Sequence, residues 1–483
     1  MRRCLLLLAA AGLCGCAESP LPKQQNSVLP QQPAQEAAPG RTMQNPLMRS
    51  MGQLLDNSYG DEADVGNVLE EADSILSEIK DENEAAIKAV NRQVRLGNAR
   101  TPNLLLIVLN DVGYGELGCY GNPSNRTPHI DALAAAGVRF SDFYAGAAQD
   151  DGAWWCMMTG QDTSRAVRGK TSSFALQPQA VTLAETLWQA GYGTGFVGRW
   201  GLGSDPRSMP HLHGFDEWFG ILEDPSPDSD PLQHVFSNGA RVRLVLEDNR
   251  DPIRYLEQAV VAEAVSYLSR HPKGDPFLLI ASLSALPDGE QNRADSLAEV
   301  DQNVGRIMAA LRNDRLADNT VVFLLSDNGA ADPQPTGDKK AKPNGVLRGH
   351  KGTLYEGAIR VPLIVQWPKK VPPGQIVSTP FAAWDLLPTF ADIAGAMKQP
   401  RRLDGISMVP ALLNEHEAER RLLYWESRRP DLAQAVRSGK WKVVRQAGKL
   451  AKEDVELYDL AADPGETTNL AAEFPEVVAE FIR

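Results

Sequence analysis

The chain reads as an α/β protein built on a doubly wound, parallel sheet, and three observations predict this. Four near-continuous apolar runs occur, at Leu104–Leu109, Gly193–Val197, Phe277–Ser282 and Val321–Leu325. Strands of that texture are buried on both faces, as in parallel sheets covered by helices. Helical patterns lie between them, at Ile130–Ala136, Thr182–Ala190, Ala259–Arg270 and Ser296–Arg312, which gives strand–helix alternation. Polar pairs stand just past two strand ends, Asn110-Asp111 and Asp327-Asn328, where open α/β sheets place their ligand sites.

In chain order the first element is a targeting segment. Arg2 and Arg3 precede the apolar stretch Leu5–Leu13, too short to cross a bilayer as a mature helix. Leu13-Cys14-Gly15-Cys16 follows and resembles a bacterial lipobox. On that reading residues 1–16 are a lipoprotein signal peptide and Cys16 carries the lipid, which anchors the protein in the bacterial cell envelope as a periplasmic or outer-membrane lipoprotein. A plain secretory signal cleaved nearby is the other reading. Residues 17–58, rich in Gln, Pro, Ser and Ala, bury too little to order themselves and read as a tether. Residues 59–98 form an acidic amphipathic helical segment, with Val68, Leu69, Ala72, Ile75, Leu76, Ile79, Ile87, Val90 and Val94 recurring at helical steps. Docking on the body or an internal hairpin is one use for that stripe; self-association through 62–96 is the other.

The main body spans 101–409. From Pro410 the texture changes: Val436–Val444 reads as a strand broken by a turn at Ser438-Gly439, Asp454–Leu460 as another strand and Pro475–Ile482 as a closing helix. These make 410–483 a smaller α+β subdomain. Of the 483 residues, 43% are hydrophobic and 23% charged, an ordinary globular balance. The net charge is −13, and Asp56–Glu84, with eleven acids and Lys80, carries −10 of it, leaving −3 elsewhere. No basic field suits nucleic acid. Three of the five cysteines fall in the targeting segment; Cys119 and Cys156 do not make a disulfide framework, though a single bridge between them is left open.

The order of motifs resembles the sulfatases of the alkaline phosphatase superfamily, the formylglycine-dependent, arylsulfatase-like hydrolases. The resemblance runs through Asn103–Gly121, Thr127-Pro128-His129-Ile130-Asp131, Gly198-Arg199-Trp200, His213-Gly214-Phe215-Asp216, Ser326-Asp327-Asn328-Gly329, Arg348-Gly349-His350-Lys351-Gly352, Asp385-Leu386-Leu387-Pro388-Thr389, Gly439-Lys440-Trp441-Lys442 and Leu457-Tyr458-Asp459-Leu460. It implies the sulfatase fold, with a large mixed, mostly parallel sheet sandwiched by helices over 101–409. It also implies a divalent cation, usually calcium, held by oxygen donors; here those positions are Asn110, Asp111, Asp327 and Asn328. Calcium accepts mixed carboxylate and amide sets. The plainer reading of Asn110 and Asp111 is a loop cap after a strand.

The resemblance also locates a loss. In sulfatases the Cys or Ser of a Cys/Ser-x-Pro-x-Arg motif is oxidised, by an enzyme that recognises the motif, to the formylglycine nucleophile. Between Phe143-Tyr144-Ala145-Gly146 and Thr159-Gly160 this chain reads Asp150-Asp151-Gly152-Ala153-Trp154, so Asp150 holds the nucleophile's position and no formylglycine is expected. Gly201 replaces the histidine of the family's Gly-Lys-Trp-His, and Asp288 replaces that of Ala-Pro-His; these histidines bind sulfate and act as general acids. Arg199 and Lys351 keep their charge. One carboxylate is lost at Asn110 and one gained at Asp150, which makes Asp150 a candidate metal ligand. Trp154 and Trp155 either fill the space of the family's arginine or offer a ring to a sugar. Three readings follow. The first is a pseudo-sulfatase on a membrane surface that binds a cation and an anionic, sulfated ligand. The second is an active sulfate- or phosphate-ester hydrolase using Asp150 or metal-bound water. The third is a structural partner protein acting through its acidic helix.

Overall fold

The computed structural model describes residues 101–166, 174–223, 234–243, 252–284, 293–332, 342–396, 400, 402–415, 421–428, 432–446, 448 and 454–482. The signal peptide with Cys16, the tether, the acidic helical segment and Asp288 lie outside them. Among the described residues no helix is long and apolar enough to cross a membrane.

The strands are β1 (Asn103–Asn110), β2 (Val138–Phe140), β3 (Phe143–Tyr144), β4 (Gly193–Arg199), β5 (Glu217–Ile221), β6 (His234–Ser237), β7 (Ala240–Arg243), β8 (Phe277–Ser284), β9 (Thr320–Ser326), β10 (Leu363–Gln366), β11 (Gln375–Val377) and β12 (Phe381–Ala382) in the body. The C-terminal region adds β13 (Leu422–Ser427), β14 (Ala433–Ser438), β15 (Trp441–Arg445) and β16 (Val455–Asp459). The main sheet has ten strands in the order β11-β2-β10-β9-β1-β8-β4-β5-β6-β7. Its centre, β9-β1-β8-β4-β5, is parallel, and the pairs β9–β10, β10–β2, β5–β6 and β6–β7 toward the edges are antiparallel, so β10 and β6 run against the centre. The sheet is therefore mixed and mostly parallel, as expected.

The longer helices are α1 (Pro128–Ala136), α2 (Asp150–Thr159), α3 (Leu183–Gln189), α4 (Pro252–Arg270), α5 (Arg293–Asn313), α6 (Leu386–Ala394) and α7 (Pro475–Ile482). Strand β1 shows how they cover the sheet. Leu104, Leu106 and Val108 face a core with Trp154 and Met157 of α2, Leu183 of α3 and Leu386 of α6. Leu105, Ile107 and Leu109 face a second core with Ile130 of α1, Val260 of α4 and Leu297 of α5. The period-two alternation of a strand thus serves two apolar layers at once, which is why β1 carries no polar residue between Asn103 and Asn110. Helix α1 is started by a distant residue: the buried Asp301 carboxylate of α5 accepts from the backbone N–H groups of His129 and Ile130 at 3.0 and 2.9 Å.

Strands β13–β16 form a separate antiparallel sheet. Val409, Ala411 and Leu412 pack in the body's core, and the C-terminal sheet begins at Leu422. One face of that sheet packs on the body through Leu423, Trp425, Val444 and Tyr458 against Tyr144 and Trp384. Beneath this contact lies a fully buried ion network: Lys442 Nζ stands 2.9 Å from both Glu356 Oε1 and Glu466 Oε1. Burial pushes the Glu466 carboxyl up to about 7. Cys119 and Cys156 are free thiols, so the bridge left open between them does not form.

Candidate active site

The polar residues after the parallel strands meet at one edge of the sheet. Asp111 follows β1 with φ of 59°, a left-handed turn that Asp tolerates better than most residues. Asp327 follows β9, is 1% exposed, and its Oδ1 accepts from the N–H groups of Asp111 and Asn328 at 3.0 and 2.9 Å. One carboxylate thereby ties two strand ends together. Burial raises the Asp327 carboxyl to about 8, reinforced by Asp150 and Asp111 and opposed by Arg199. Asp111 Oδ1 accepts from Asn328 Nδ2 at 2.6 Å and from Lys351 Nζ at 2.7 Å.

Asp150 opens helix α2, and two cations hold it. Its Oδ2 lies 2.7 Å from Arg199 at the end of β4, and its Oδ1 lies 2.5 Å from Lys351. Burial works against the charge on Asp150, but Arg199 and Lys351 outweigh it and keep the carboxyl below its usual range. Lys351 is likewise desolvated, yet Asp150 and Asp111 hold its ammonium above the ordinary lysine value. Arg199 is 9% exposed and also stands 3.9 Å from Asp327. The structure thus brings Asn110, Asp111, Asp150, Arg199, Asp327, Asn328 and Lys351 into one cluster, with three acids against two bases.

The donor set fits a divalent cation. Asn110 Oδ1, Asp327 Oδ2 and Asn328 Oδ1 are buried oxygens with no hydrogen-bond partner, and buried acceptors of that kind ordinarily find one. Carboxylate and amide oxygens are the ligands hard cations take. Among the described residues no group of three His, Cys, Asp or Glu is arranged to hold a metal; half of this donor set is amide. Asp150 has both oxygens committed to Lys351 and Arg199, so its service as a ligand requires Lys351 to give way.

The rest of the nucleophile segment is packed shut. Trp154 is 0% exposed and lies edge-on to Phe196 with centroids 6.0 Å apart, so it is core and not a sugar platform. Trp155 packs against Phe174. Cys156 is buried, its Sγ lies 3.4 Å from the Gly146 carbonyl oxygen, and burial holds its thiol well above the usual range. It is no substitute nucleophile. Asp151 accepts from the N–H of Gly152 at 2.9 Å, near the helix start.

Some site residues were not foreseen. Arg293 donates to Glu116 Oε1 at 2.8 Å and also to the Asp111 carbonyl, which holds the left-handed turn. Asn110 Nδ2 donates to Ser282 and Ser284, each at 3.0 Å. A Ser-x-Ser end to the apolar run of β8 was the one available signal. Burial pushes the carboxyl of Glu257, on α4, up to about 8, opposed by Ser284. An acid raised in the fold binds its proton more tightly there than in the unfolded chain, so the stability tied to it is present at low pH and declines as pH rises from 4.5 toward about 8. Glu257→Gln is expected to flatten that decline, read as melting temperature against pH; an unchanged slope would mean Glu257 ionises freely in the fold.

The mixed, mostly parallel sheet with helices on both faces, the polar cluster at the carboxyl ends of its strands and the likeness to solved sulfatase structures together define the alkaline-phosphatase-like class of fold. The chain belongs to the sulfatase family: the Sulfatase family model matches residues 102–285 and 290–396, and the model for the C-terminal region of N-sulphoglucosamine sulphohydrolase matches 349–481. It is 33% identical to arylsulfatase A of Bos taurus, over 80% of this chain and 87% of that protein. It is 31% identical to N-acetylgalactosamine-6-sulfatase of Homo sapiens, over 72% of each. Among solved structures, Ps i-CgsB in complex with k-i-k-neocarrahexaose superposes with a TM-score of 0.67 at 26% identity, covering 79% of this chain and 91% of that one. Members of the family generally use a divalent cation.

Proposed function

We propose that this chain is a pseudo-sulfatase: a sulfatase-family protein that binds a divalent cation and a sulfated ligand without turning it over. The observation that carries the reading is the carboxylate of Asp150, at the nucleophile's position, neutralised by Arg199 at 2.7 Å and Lys351 at 2.5 Å. A carboxylate so held is a poor nucleophile, since both oxygens are already spent on charged partners. The two histidine positions that serve as general acid in the family are Gly201 and Asp288. Asn110, Asp111, Asp327 and Asn328 would hold the cation, calcium by its donor set. When bound it supplies positive charge to an ester's anionic oxygens. The residues of the chain supply charge and position: Arg199 and Lys351 attract an anion, and Asp150 competes with that anion for both of them.

The ligand class follows from the relatives, named for sulfatases of a sulfated sugar and of aryl sulfates. The lipobox-like Leu13-Cys14-Gly15-Cys16 supports an anchored, envelope-facing protein, with lipid on Cys16. The deciding experiment is hydrolysis of simple aryl sulfate and aryl phosphate esters by the purified mature protein with calcium, beside Asp150→Ala. Turnover no higher in the wild type than in the variant is the expected result. Turnover that vanishes in the variant makes Asp150 catalytic and overturns the reading in favour of an active hydrolase.

A further inference from the structure

We propose that Ser282 and Ser284 form a clamp that sets the side-chain amide of Asn110 with its carbonyl oxygen, and not its NH2, toward the cation. The inference rests on the reading that this cluster holds a divalent cation, and concerns what makes an asparagine usable at the first ligand position. Asn110 is the last residue of β1 and pairs in register with Ser284 of β8, while Val108 pairs with Ser282. Ser282 and Ser284 are two apart on one strand and so project from the same face. Asn110 Nδ2 donates to both hydroxyl oxygens at 3.0 Å, which uses both amide hydrogens. Its Oδ1 is left buried and without a partner.

The two ends of an amide have nearly the same shape, so a half-turn about the last side-chain bond exchanges them. The turned amide would present N–H groups to a cation and repel it. A single hydroxyl does not decide between the two orientations, because it both donates and accepts. Two hydroxyls against Nδ2 hold the amide: both of its hydrogens are taken, and turning it would break both bonds and put the NH2 where Oδ1 now lies without a donor. An aspartate at 110 would not need such a device, since its two oxygens are equivalent.

The test is calcium titration by isothermal calorimetry on four purified proteins: wild type, Ser282→Ala/Ser284→Ala, Asn110→Asp, and the triple variant. Melting temperatures in calcium-free buffer confirm folding. In the Asn110 background the serine replacements are expected to weaken calcium binding about 10-fold, the lower end of the range for partners that orient a metal ligand. In the Asn110→Asp background they change it little, because no wrong end exists to present. Ser284→Thr, which keeps the hydroxyl, retains wild-type affinity. Equal losses in both backgrounds would make the serines merely structural and overturn the clamp while leaving the cation reading intact. A wild type that takes up no calcium overturns both, and leaves the hydrolysis result standing on its own.

Discussion

Lys442→Met is expected to destabilise the protein by about 3–5 kcal/mol, the range for removing one partner of a buried ion pair. Lys442, Glu356 and Glu466 are all 0% exposed at their side chains or nearly so, and the ammonium is shared between two carboxylates at 2.9 Å. Deleting it strands two acids in a medium that penalises charge. Glu356 keeps other partners, the Tyr144 hydroxyl at 2.7 Å and Arg360 at 3.5 Å, so Glu466 bears most of the loss. Glu466 already sits at about 7 with Lys442 beside it; without that ammonium it rises further. The sign then follows. A raised acid binds its proton in the fold, so the variant's deficit is smallest near pH 4.5 and grows as pH climbs through the raised value. Urea unfolding at pH 5 and pH 8 checks both claims. A deficit below about 1 kcal/mol at pH 8, within the scatter of ordinary surface changes, would mean the triad contributes nothing.

Asp150→Ala is expected to strengthen binding of inorganic sulfate by about 10- to 100-fold. The carboxylate engages Arg199 and Lys351 as an anion would, and an incoming sulfate must displace it. A hydrogen bond to a charged group contributes about 1.5–3 kcal/mol, which sets the range. The measurement is the shift in melting temperature with sodium sulfate, against sodium chloride at matched ionic strength so that screening cancels. Equal sulfate response in the two proteins would show that Asp150 does not compete for the anion.

The central sheet was legible because its strands are buried on both faces, so β1, β4, β8 and β9 stand out as apolar runs. The strands that went unread are too exposed or too short to stand out as apolar runs: β7 is exposed throughout, and β10, though buried, covers only four residues. Helix α6 escaped periodicity for the opposite reason. Eight of its nine residues are buried, so no polar face marks its phase. At the site, Asn110-Asp111 and Asp327-Asn328 were visible as polar pairs ending apolar strands. Arg199, Lys351 and Asp150 came from the family resemblance. Glu257 and Arg293 were invisible to both, because what distinguishes them is contact with Ser284 and Glu116, in segments far off in the chain.

Trp154 and Gly201 have a historical consequence. By the family resemblance, the tryptophan stands where the family has arginine and the glycine where it has histidine, and the two adjoin: a Cβ on Gly201 would lie in ordinary contact, 3.9 Å, with Trp154 Cδ1. Gly201 also has φ of 68°, a conformation that histidine adopts at a cost. On the pseudo-sulfatase reading, restoring any one of these residues leaves the other changes in place, so a return to a working sulfatase site would take more than one substitution, a case of epistasis.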